Sequence, residues 1–132
     1  MQNNFHIEKS NSSLDLPVIQ KQIKAYKSWQ ELLINFPKTS KYSLGAKIDS
    51  ALLEAIELTF NASHLRGDQK YEQIFEAGVK LDLVKFFLRI AWEVHALDNK
   101  KYAAISEQLD EIGRMIGGWA KQVKNLPNTS SK

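Results

Sequence analysis

The sequence predicts an all-α protein, an up-and-down bundle of four helices. Three observations carry this. Four segments repeat apolar residues at alternating steps of three and four, the spacing of one helix face. Only 6 glycines and 3 prolines interrupt 132 residues, too few for the tight turns of an all-β chain. Breakers fall between the periodic segments, at Pro37, at Arg66-Gly67-Asp68 and at Asp98-Asn99.

The first helix is expected from about Leu16 to Asn35. Asp15 is the candidate N-cap and Pro17 sits in the first turn. Ile19, Ile23, Tyr26, Leu33 and Phe36 lie near one side, and Val18, Ala25, Trp29 and Leu32 near another. The second helix is expected from about Lys41 to Leu65, with Ile48, Leu52, Ala55, Thr59 and Ala62 as its seam and Leu53, Ile56 and Phe60 beside it. Gly67 is the expected terminator and Asp68 the expected cap of the next helix. The third runs from about Gln69 to Leu97. One of its seams is Ile74, Ala77, Leu81, Val84, Leu88 and Ala91; the other is Val79, Leu83, Phe86, Ile90 and Val94. The fourth is capped by Asp98 or Asn99 and runs to about Lys124 on Tyr102, Ile105, Leu109, Ile112, Ile116, Trp119 and Val123. That seam keeps phase through Gly113, Gly117 and Gly118, each costing about 1 kcal/mol relative to alanine. Polar tails are expected at residues 1–15 and 125–132, flanking one domain at 16–124.

Composition narrows the function. Hydrophobic residues at 43% and charged residues at 25% belong to a globular chain. The absence of cysteine excludes a disulfide framework, a thiolate nucleophile and a Cys-ligated zinc site. A net charge of +3 permits a nucleic-acid partner without requiring one. No run of about twenty apolar residues spans a membrane, and the first residues lack a secretory pattern. A cytoplasmic protein is expected, and the Asn-x-Ser/Thr matches at Asn11, Asn61 and Asn128 are chance matches.

A helix in an isolated small bundle needs one apolar stripe, and the third helix has two. Its second stripe, with Leu83, Phe86 and Ile90 and widened by Phe87, is expected to pack on a neighbouring chain. Gly113 and Gly117 share a helix face and let another backbone approach, so they join Trp119 as packing or oligomer candidates. Cations collect early, at Lys21, Lys24, Lys27, Lys38, Lys41 and Lys47. With Lys85 and Arg89 they are the candidate phosphate contacts. For any single lysine a solvated surface role competes with that assignment, and Lys85 and Arg89 could equally be oligomer salt-bridge partners.

Catalytic and metal patterns are missing. His6 and His64 have no clear partner in sequence, and Glu93-Val94-His95 lacks the Glu-x-x-His spacing of di-iron bundles. No phosphate loop, zinc signature or serine elbow occurs. No cofactor and no metal are expected. One alternative is catalytic: Arg89 and His95 are spaced like the Arg-x(4–6)-His element of HEPN ribonucleases, although Ile90 replaces the polar residue usual after the arginine.

Longer blocks resemble one family. They are FPKTSKYSLGAKI at Phe36 to Ile48, LLEAIEL at Leu52 to Leu58, VKLDLVKFFLRIAWE at Val79 to Glu93 and IGRMIGGW at Ile112 to Trp119. Together, over about Leu16 to Lys124, they resemble the accessory variability determinant (Avd) proteins of diversity-generating retroelements. The related ribosomal-RNA intervening-sequence proteins, a second alternative alongside a general helical adaptor, usually carry Asn-Ile-Ala-Glu-Gly. Here the corresponding stretch is ELTFNAS at Glu57 to Ser63. Resemblance to Avd implies a barrel-like homopentamer of four-helix bundles with a positive surface. It implies binding to nucleic acid, RNA or DNA, and to the element's reverse transcriptase. That complex copies a template RNA with adenine-directed errors, and the cDNA diversifies a target gene. On this resemblance the protein itself is not an enzyme.

Overall fold

The computed structural model describes residues 16–126. The polar segment 1–15, with the Asp15 cap, His6 and Asn11, lies outside the described residues, as does 127–132. Five helices and no strand occur among the described residues: α1 Pro17–Ile34, α2 Lys38–Lys41, α3 Leu44–Ala62, α4 Gly67–Glu93 and α5 Asn99–Lys124.

Periodicity becomes burial. Ile74, Ala77, Leu81, Val84, Leu88 and Ala91 are the buried residues of α4, the first of its two expected seams. In α5 the buried residues are Ile105, Leu109, Ile112 and Ile116; Tyr102, Trp119 and Val123 pack partly buried against the same core. α3 buries Gly45, Ile48, Ala51, Leu52, Ala55, Thr59 and Ala62, a seam of mostly small residues. Small side chains let α3 approach its neighbours closely. At Gly45 an added Cβ would lie 2.9 Å from Leu33 Cδ1. α1 and α4 each pack on both α3 and α5, so they occupy opposite corners.

Helix ends depart from expectation where backbone conformation decides. α2 is a single turn, too short to show periodicity, entered from an extended Pro37. α3 ends at Ala62, before Gly67. Gly67 instead opens α4 at φ 59°, where the chain turns back and a side chain would be strained. Lys70 completes this turn. Its Nζ donates to the Ala62 carbonyl at 3.0 Å and the Leu65 carbonyl at 3.4 Å. Burial holds its ammonium below the ordinary lysine value. At the start of α5 the cap is Asp98, whose Oδ1 accepts the Lys101 N–H at 2.8 Å.

α4 ends at Glu93 in a double-bonded reversal. The Ala96 N–H donates to the Ala91 carbonyl at 2.7 Å and the His95 N–H to the Trp92 carbonyl at 3.0 Å. His95 takes the left-handed position at φ 67°, which glycine fills most cheaply. His95→Gly is therefore expected to raise stability by about 1 kcal/mol in denaturant melts. A loss of stability would show that the imidazole makes a compensating contact.

Candidate nucleic-acid interface

The cations proposed from sequence do not form one patch. Lys24 and Lys27 project from α1, exposed, with no ion pair among the described residues. Lys21 is tied to Glu111 of α5 at 3.0 Å. Lys85 is tied to Asp110 at 3.2 Å. Arg89 donates from Nε to Glu93 Oε2 at 2.8 Å and lies 5.5 Å over the Trp92 ring. These pairs are solvent-exposed and individually weak, yet each partly offsets its cation's field.

Lys38, Lys41 and Lys47 do share a location. The α1 end, α2 and the first turn of α3 form one corner, held by Leu33 and Phe36 against Gly45. Leu32 and Asn35 of α1 line a hollow with Lys101 and Ala104 of α5. The hydrogen bond from Gln108 Nε2 to Ser28 Oγ, 3.0 Å, ties the same two helices. Lys100 and Lys101 therefore join Lys38, Lys41 and Lys47 at one end of the molecule. Sequence reasoning missed these two; their doublet at the start of a helix was the available signal.

Three nearby carboxylates are engaged, while a fourth, Glu31, lines the hollow beside Lys101. Asp98 caps α5 and Glu93 holds Arg89. Asp49 Oδ1 accepts from Tyr26 Oη at 2.9 Å and from Trp29 Nε1 at 3.1 Å. Burial first, then the Asp49 carboxylate accepting its proton, raises the Tyr26 phenol above its ordinary value. Such an end suits phosphate contacts made by charge, without reading bases.

The apolar candidates divide differently. Phe86 is 58% and Leu83 37% exposed on the outer side of α4, with Ile90 half-buried beside them. Phe87 and Trp119 pack against the core, and Lys70 lies over the Trp119 ring at 5.1 Å. Gly113 is used within the chain: a Cβ there would lie 3.2 Å from Lys85 Nζ and 3.5 Å from Leu81 Cδ2. Gly117 faces open space. The catalytic alternative has both its residues exposed, but Arg89 is held on Glu93 and Trp92, and His95 serves the α4 reversal.

A helical fold with a basic end and a half-apolar outer helix defines a scaffold class. A family model described as bAvd-like matches residues 17–123, almost all of the described chain, and the protein belongs to that family. No curated protein matches the chain. Among the described residues no helix is long and apolar enough to cross a membrane.

Proposed function

We propose that this protein is a non-catalytic accessory component of a diversity-generating retroelement, acting in the cytoplasm. It is an up-and-down four-helix bundle that assembles with copies of itself, as a pentamer by analogy with its family. It binds the element's reverse transcriptase and holds template RNA or cDNA during mutagenic copying. The family match carries this proposal. The clustered lysines support its nucleic-acid part: Lys38, Lys41, Lys47, Lys100 and Lys101 share one end, where Asp49, Glu93 and Asp98 have partners and Glu31 lies beside Lys101. In a cyclic assembly every copy would present this end on the same rim, multiplying a weak local charge.

The test is RNA binding as a function of salt. Lys38→Glu with Lys47→Glu is expected to weaken single-stranded RNA binding at least about tenfold and to lower the log–log salt slope by about 1 to 2. An unchanged slope would remove these lysines from the interface. Co-purification with the reverse transcriptase of a diversity-generating retroelement from the same genome tests the partner; its absence under low salt would count against the accessory role.

A further inference from the structure

The outer side of α4 carries Phe75 at 56%, Val79 at 44%, Leu83 at 37% and Phe86 at 58% exposure, and the C-cap residue Val94 continues it at 55%. From Phe75 to Val94 these residues span roughly 28 Å at the helical rise. One exposed leucine needs no explanation, but a continuous stripe does. Its charge is equally marked. Glu72, Glu76 and Asp82 are exposed among the apolar positions. The cations of this stretch of α4 are all tied to carboxylates: Lys80 to Glu54, Lys85 to Asp110 and Arg89 to Glu93. This face is thus apolar and acidic on a chain whose net charge is +3. It disfavours two-fold pairing with itself, which would set carboxylates against carboxylates.

The complementary surface is present on the same chain. Pro17, Gln20, Ile23, Lys24 and Lys27 of α1 line a shallow groove. Ile34, 70% exposed, extends it toward the helix end. α1 has 18 residues, roughly 27 Å, close to the length of the α4 stripe. Because α1 and α4 occupy opposite corners, the two surfaces point away from each other and cannot meet within one copy.

Building on the self-association above, we propose that the α4 face of one copy seats on the α1 face of the next. Lys24 and Lys27 then pair with Glu72 and Glu76, one helical turn apart on α4, beside a strip of apolar contact made by Ile23 and Ile34 against the α4 stripe. The contact is head-to-tail, the kind that closes rings. It assigns Lys24 and Lys27 to assembly and leaves the lysine end for nucleic acid.

A charge swap tests this, read as mass by light scattering at micromolar concentration. Glu72→Lys with Glu76→Lys is expected to dissociate the wild-type oligomer, and so is Lys24→Glu with Lys27→Glu. All four changes in one chain are expected to restore it. All sites are exposed, and unchanged helical circular dichroism confirms folding. A monomeric wild type would overturn both the self-association and this contact. An oligomer indifferent to either reversal, or one lost in Phe86→Asp yet insensitive to charge, would overturn this contact alone. So would dissociation without restoration in the combined variant.

Discussion

Replacing Trp29 with alanine is expected to remove about 3–5 kcal/mol of stability, the range for a large aromatic lost from a core. Trp29 is 0% exposed. Its ring meets Phe36 edge-on with centroids 5.4 Å apart, and its Nε1 donates to Asp49. It therefore joins α1, the following loop and α3 in one contact. A domain of this size is stabilised by about 5–15 kcal/mol in all, so the variant should sit near its unfolding threshold. The control is Trp29→Phe, which keeps most of the volume but loses the N–H and part of the bicyclic ring. It is expected to cost about 1–2 kcal/mol. Urea melts of both variants check the ratio. Equal losses would place the energy in the hydrogen bond rather than the packing.

A second large effect is expected at Gln22, also 0% exposed. Its Nε2 donates to Thr59 Oγ1 at 2.9 Å, and the Thr59 hydroxyl donates onward to the Ala55 carbonyl at 2.9 Å. Gln22 Oε1 is buried with no hydrogen-bond partner. Gln22→Glu puts a carboxylate at this site, where burial disfavours the charged form and raises its pKa in the folded state. The unfolded chain titrates near the ordinary glutamate value, about 4.3. The folded pKa lies above the unfolded one, so the variant's stability is highest below about pH 4 and falls as pH rises through the folded pKa. At pH 7 the loss relative to wild type is expected to be several kcal/mol, shrinking as the pH is lowered toward 4. Gln22→Leu removes the partnerless oxygen but also the hydrogen bond to Thr59, and is expected to cost about 1 kcal/mol at every pH. Thermal melts from pH 4 to 8 separate the two. A Gln22→Glu penalty independent of pH would show a steric rather than electrostatic origin.

The site was less legible than the fold. The α4 and α5 seams could be read directly, because a helix writes its buried face into its own sequence every three or four residues. The exposed stripe through Phe86 was legible for the same reason. Gln22 was not, since a polar residue inside a buried stripe gives no signal until Thr59 is brought against it from 37 residues away. The eight candidate cations could be named but not sorted. Lys21 and Lys85 lose their independence to Glu111 and Asp110, carboxylates of another helix, and only packing sets that register.

By itself the sequence determined the helical class, the buried seams of the longer helices, the second apolar stripe and the family resemblance that the family match now supports. These are properties of short windows, in which neighbours along the chain are neighbours in space. The tertiary structure decided which lysines are drawn into ion pairs and that five others share one end. It also decided that α1 and α4 face away from each other. Those facts depend on how segments tens of residues apart align side by side, and that alignment is set by the fit of small and large side chains across the core.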